Sequence, residues 1–317
     1  MATVAHAGFR RYDKLMTSMS PAIRAYVMLA FVMLFWAGNA IVGRAVRDDI
    51  PPFTLAFVRW TGALLILLPF AWGELRRDRA ALLAGWKPIL LLGLVGVAGF
   101  NGFLYWGLHH TTATNGLLLQ ALIPAMVLGF NMWFFRERAG PWQIAGVILS
   151  TVGVVLVIVR ADWAVLAGLR LGYGDGLILI GVLGWALYTS LLRIRPAVGP
   201  FAFLAVTFLI AALAMLPLAI GESRAIAAID WRPAVIGAFA YVAILPSVIA
   251  YFLFNAAVAT IGAARAGQTI SLMPLFGAGL AALLLGEPLH PYHLVGMALI
   301  LAGILMAALL HRNGTPS

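Results

Sequence analysis

PAMVLGFNMWFFRERAGPWQIAGVILSTVG, residues 124–153, is answered by PLFGAGLAALLLGEPLHPYHLVGMALILAG, residues 274–303. The identities are few but in register. Pro124, Glu137, Pro141, Gly146 and Gly153 return as Pro274, Glu287, Pro291, Gly296 and Gly303, each 150 residues on. Working outward, Trp36 returns as Trp185, Trp86-Lys87-Pro88 as Trp231-Arg232-Pro233, and Tyr105 as Tyr251, with the offset slipping by a few residues. Self-similarity at a fixed spacing marks a duplicated structural unit. Each unit holds five long apolar runs, and an odd number of crossings inserts the second copy upside down relative to the first. Inverted repeats of this kind build secondary transporters, whose substrate site lies near the bilayer midplane between the halves.

Composition agrees with a membrane protein. The 317 residues are 63% hydrophobic and 10% charged, with a mean hydropathy of +1.00, far from the balance of a soluble domain. About 20 apolar residues cross the hydrocarbon. Ten runs qualify, near 24–46, 52–73, 88–109, 113–135, 142–159, 174–194, 200–220, 233–256, 262–285 and 292–310. A nine-span reading with 142–159 re-entrant would leave 292–310 without its repeat mate. The expected fold is all-α: a segment 1–23, a first five-helix repeat 24–159, a connector 160–173, a second repeat 174–310 and a tail 311–317.

The net charge of +10 invites a nucleic-acid reading, but its distribution opposes one. Of 21 Lys and Arg, thirteen fall in connections on the side of the N-terminus and six on the other, with Arg59 and Arg265 inside apolar runs. The positive-inside rule places both termini in the cytoplasm. The first run is too long for a signal-peptide core and no small-residue cleavage site ends it, so it reads as an uncleaved span. There is no cysteine, hence no disulfide, thiolate chemistry or Cys-ligated metal. No Walker A loop, zinc-protease helix or nucleophile elbow is present, and His109-His110 and His290/His293 lack metal-site spacing. A non-enzyme without cofactor, working as a monomer among lipids on a small-molecule substrate, is expected.

Polar groups inside a bilayer are costly without a partner or water, so each is a candidate site. Asn101, Tyr105 and His109 recur at steps of four, and an offset of 146 gives Ser247, Tyr251 and Asn255. Each triplet would share one helical face. The two stripes either tie helices together or line a water-filled cavity. Trp36 and Asn39, matched by Trp185 and Tyr188, would add aromatic faces; Asn115, Gln120, Gln268, Thr269 and Ser271 are further polar positions. Arg59, some 10 Å of helix rise from the start of its run, can snorkel outward. Arg265 either snorkels or faces the cavity and receives a carboxylate. Pro124 and Pro274 would kink their spans at matching places and act as hinges. Gly93, Gly96, Gly99 and Gly102 would form a ridge for close backbone approach, as would Gly146 and Gly153 with Gly296 and Gly303. No Asp or Glu lies in the middle of any run, which disfavours proton antiport and favours facilitated diffusion or exchange.

Two five-span copies, with Glu137 nine residues before Gly146 and Glu287 nine before Gly296, together with Trp36-Ala37-Gly38-Asn39 and the position of Arg59, resemble the EamA-type drug/metabolite transporter superfamily. Within it the chain is similar to bacterial exporters of aromatic amino acids. The resemblance implies an inner-membrane exporter with a central cavity lined by spans 1–4 and 6–9, and with spans 5 and 10 peripheral. It also implies alternating access to each side. A nucleoside, sugar derivative or drug-like amphiphile is the alternative cargo.

Overall fold

The computed structural model describes residues 19–46, 49–108, 110–111, 113–168, 171–285 and 288–309, and among them every regular element is helical. Helix α1 is Pro21–Ala45, α2 Pro52–Arg77, α5 Pro141–Ile158, α6 Tyr173–Leu191, α7 Pro200–Gly221 and α10 Pro291–Leu309. The other four are interrupted. Helix α3 runs Trp86–Leu92, a π-helical Gly93–Gly99 and Phe100–Leu108. Helix α8 repeats that plan as Pro233–Ala243, a π-helical Ile244–Ile249 and Ala250–Ile261. Helix α4 is Ala113–Gln120 then Ile123–Phe135, and α9 is Ala263–Gln268, a 3-10 turn Thr269–Leu272 and Met273–Leu285. His109 and Glu287, and the side chain of Asn115, lie outside the described residues.

Proline opens α1, α2, α5, α7, α8 and α10, where its missing N–H is one that no helix could satisfy anyway. Nine stretches among the described residues are long and apolar enough to cross a membrane. The tenth expected run, 262–285, crosses in the three pieces of α9. The outer surface is apolar: Leu65, Phe70, Leu213 and Ile220 are all exposed, as lipid contact requires. Trp72, Trp86, Trp142, Trp163 and Trp231 are also exposed, near helix ends, which suits interfacial belts.

Two reciprocal contacts establish that the repeats lie antiparallel. At one end of the α2–α7 pair, the Glu222 carboxylate accepts the backbone N–H of Phe53 (3.2 Å) and Thr54 (2.7 Å) and the Thr54 hydroxyl (2.8 Å). At the other end Glu74 accepts the N–H of Ala202 at 2.9 Å, and Asp78 that of Gly199 at 2.7 Å. Glu74 and Glu222 are repeat mates, as are Thr54 and Ala202, so each helix caps the other's N-terminus with a carboxylate on its positive dipole end. The second contact joins α5 and α10. A Cβ on Gly146 would stand 2.5 Å from the Gly303 carbonyl, and one on Gly153 would stand 2.8 Å from that of Gly296. Only glycine permits this approach.

The span 3 glycines behave differently from the expected ridge. A Cβ on Gly96 would enter the Tyr188 ring and one on Gly102 would meet Met215, so these positions admit side chains rather than a backbone. The π-helical turn there breaks the step of three. Close backbone approach to α3 comes instead from α6, where a Cβ on Gly184 would stand 2.8 Å from the Val95 carbonyl and one on Gly181 would stand 3.1 Å from that of Phe100. Pro124 and Pro274 sit just after the breaks in α4 and α9 and line one small gap of about 20 Å³ with Gln120 and Ser271. Gln268 ties the short first piece of α9 outward, donating to the Gly303 carbonyl at 3.0 Å.

Candidate functional site

A cavity of about 760 Å³ opens on the face that carries the α4–α5, α6–α7 and α8–α9 connections. Its mouth bears Arg138, Arg193, Arg195 and Arg265 against Glu137, and among the described residues only Arg193 is paired with that carboxylate, at 2.6 Å. The excess of guanidinium there draws anions inward. Asn131 and Asn255 lie in the wall, 3% and 4% exposed. The Asn255 side-chain carbonyl accepts the Tyr188 hydroxyl at 3.0 Å, which leaves its amide N–H without a protein acceptor. The Asn131 side-chain oxygen has no protein donor. One uncommitted donor and one uncommitted acceptor thus sit in a single wall, and buried polar atoms of that kind need a partner.

Above Asn255 the bundle is closed by aromatic rings. Trp36 stands edge-on to Trp185 (centroids 5.0 Å) and lies 5.3 Å from Phe254; Trp185 is 5.2 Å from Tyr188 and 5.6 Å from Tyr251. Tyr251 also meets Trp60 at 5.5 Å and Phe208 at 5.6 Å. Such offset and edge-to-face pairs add about 0.5–1.5 kcal/mol each beyond their area. The plug draws on α1 and α2 of one repeat and α6, α7 and α8 of the other, so it straddles the seam.

Beyond the plug lies Arg59, and here the snorkelling expectation is corrected. The residue is 2% exposed and points inward. Its Nε donates to Ser247 Oγ (2.6 Å), Nη1 to Asn101 Oδ1 (3.1 Å) and to the Tyr105 hydroxyl (3.5 Å), and Nη2 to the Pro246 carbonyl (3.3 Å). The guanidinium also lies 4.6 Å over the Trp60 ring. Helix rise alone could not reveal this, because the partners come from elements remote in sequence. Pro246 explains why they are free: it offers no N–H to the Val242 carbonyl, and the Ser247 hydroxyl donates to that carbonyl instead at 2.7 Å. The Pro246 carbonyl takes the Trp36 indole N–H at 3.0 Å as well as Arg59 Nη2.

The sequence candidates therefore divide into layers. Asn255 and Arg265 line the cavity; Trp36, Trp185, Tyr188 and Tyr251 form the plug above it; Asn101, Tyr105 and Ser247 hold Arg59 on the far side. Asn39 is partly buried with its side-chain oxygen unpaired. Asn131 and Gln143 in the cavity wall and the capping pair Glu74 and Glu222 escaped the reading of the sequence. For the pair a signal existed: each follows a helix-opening proline, Pro52 or Pro200, by 22 residues.

Ten membrane-spanning helical segments in two inverted repeats, open to one side and sealed on the other, define a secondary-transporter architecture. The sequence profile described as the EamA-like transporter family matches residues 23–159 and again 172–309, and the chain belongs to that family. Among its relatives, the uncharacterized transporter YyaM of Bacillus subtilis is 25% identical, over 90% of this chain and 94% of its own. An uncharacterized transporter of Archaeoglobus fulgidus is 28% identical over 89% and 96%. A protein of Streptantibioticus cattleyicolor named as a probable terminal-alkyne amino-acid exporter is 29% identical over 89% and 93%. A solved crystal structure shares the fold with a TM-score of 0.74 at 19% identity, covering 91% of this chain and 97% of that one. The protein is a multi-pass membrane transporter.

Proposed function

We propose that this transporter exports amino acids with aromatic or other apolar side chains across a bacterial inner membrane, with both termini cytoplasmic and the cavity opening inward. The observation that carries the reading is the cavity wall, where the free Asn255 N–H and the free Asn131 carbonyl lie in the same buried lining below an aromatic ceiling. The donor suits a carboxylate oxygen and the acceptor an ammonium group, while Arg265 and its neighbours at the mouth concentrate the anionic end. A volume of about 760 Å³ falls within the ~300–1,000 Å³ usual for small-molecule sites. The relative named for amino-acid export supports the cargo class.

Transport follows as rocking of the repeats about their two-fold seam, which parts the plug toward one face and then the other. Among the described residues no Asp or Glu stands mid-span, which favours facilitated diffusion or exchange over proton coupling. The test is counterflow: proteoliposomes loaded with unlabelled L-phenylalanine should accumulate labelled L-phenylalanine well above empty vesicles. Accumulation of no amino acid above that background refutes the reading.

A further inference from the structure

Among the described residues Arg59 is the only fully buried cation, and no carboxylate lies within ion-pair distance of it. A guanidinium cannot shed its charge to suit its surroundings. A charge buried without a counter-ion is costly, and here only neutral acceptors and one aromatic face offset it. Its bonds divide by repeat. Nη1 is held by Asn101 and Tyr105 of α3, within the same repeat as Arg59, whereas Nε and Nη2 are held by Ser247 and Pro246 of α8, in the other. The Nε/Nη2 edge carries two parallel N–H bonds, the fork that pairs bidentately with a carboxylate.

If the repeats rock apart at the sealed side, as the transport reading has it, α8 parts from α2 and α3, because the Arg59 bonds to Ser247 and Pro246 cross the seam. Arg59 then keeps its anchor on α3 and its place over Trp60, but that whole edge loses its acceptors. The arrangement is one-sided. The repeat mate of Arg59 is Thr207 on α7, whose hydroxyl bonds the Phe203 and Leu204 carbonyls of its own helix at 3.0 Å each. No second cation stands ready on the cavity side of the seam at that position.

We infer that, in the state open to the opposite face, the Nε/Nη2 edge of Arg59 binds the carboxylate of the cargo, with Ser247 and Pro246 occupying that edge when the side is shut. The inference rests on the transport reading above and deepens it. The cargo must carry an anionic fork acceptor, and the amide of the same molecule is rejected because its N–H₂ faces a donor.

The experiment separates binding from flux. Full-length protein carrying R265M, which removes one of the four guanidinium groups lining the cavity, is melted with L-phenylalanine, 3-phenylpropionate or L-phenylalaninamide, with and without R59M. A ligand bound only by the folded form raises the melting temperature. The two acids should raise it more than the amide does, and R59M should cut the acids' shift to the level of the amide's. In proteoliposomes R59M, made in the otherwise native chain, should lose about tenfold or more of phenylalanine counterflow, the scale of a lost charge-assisted contact. R59K, which keeps charge but not the fork, should recover part of that at most. No shift by either acid, an equal shift with R59M, or an R59M melt far below the parent that R59K restores would each overturn the inference. So would R59M flux at the native rate with acid still preferred over amide, which leaves the transporter reading standing. Acids that bind through Arg59 while the native chain accumulates no amino acid would sink the transport reading alone.

Discussion

Tyr188 shows how much one side chain can organise. Fully buried, it fits into the space left by Gly96, packs on Trp185, and uses its hydroxyl to fix the Asn255 amide, whose N–H is buried without a protein acceptor. Tyr188→Phe should therefore cost little stability, about 0.6 kcal/mol and at most ~1.7, as membrane hydrogen bonds do. It should nonetheless weaken cargo affinity by releasing the amide, which competition in counterflow would read. Gly96→Leu tests the other half: the new side chain displaces the Tyr188 ring, and flux should fall more than in Tyr188→Phe. The polar stripes were legible in the sequence as candidates because charge and amide in an apolar run stand out. Their layering was not, since whether Asn255 faces water or Tyr105 faces Arg59 depends on side chains some 40 to 190 residues away.

At the scale of elements, the pairings α2–α7 and α5–α10 carry the symmetry. Glu74→Ala and Glu222→Ala should each destabilise by about 0.5–2 kcal/mol, measured by unfolding in detergent, with Glu222→Ala the larger because it frees three donors and Glu74→Ala one. Asp78 adds a pH dependence. The Arg77 guanidinium, and then the Gly199 N–H, hold its carboxyl below the usual carboxylate range. A depressed folded value means the contact stabilises above the unfolded pKa of about 3.9 and is lost as pH falls through the lower folded value. Asp78→Asn should lower stability near neutrality and flatten its decline below pH ~4, where the native carboxyl is itself protonated. On α5–α10, Gly303→Ala should cost about 1–3 kcal/mol through overpacking. Gly129→Ala and Gly279→Ala, at repeat-mate positions with open space around them, should be neutral or slightly favourable. The repeat of Gly146 and Gly153 announced the crossing in the sequence. The π-helical turns of α3 and α8 had no such repeated signature, since shifting a turn's bonds by one residue leaves composition and hydropathy untouched.

The whole molecule, described in one facing state, offers a direct check, because it contains no cysteine to interfere. A single cysteine at Val198 or Ala264, both lining the cavity, should react with a water-soluble maleimide supplied from the cavity side. One at Thr207, wholly buried, should not. Doing this in sealed vesicles of known orientation also tests the expected cytoplasmic opening. The inverted duplication was readable from spacing alone, because both copies must satisfy the same packing in mirror order. The reciprocal contacts carry a further consequence. Exchanging the two repeats maps the Gly146–Gly303 crossing onto Gly153–Gly296, and the Glu222 cap onto the Glu74 cap, so each grip is made twice. Nothing in that arrangement needs the halves to be covalently joined. Two fragments divided within 160–173 and produced together should find each other in the membrane and co-purify, reconstructing as a heterodimer what the chain performs as one polypeptide.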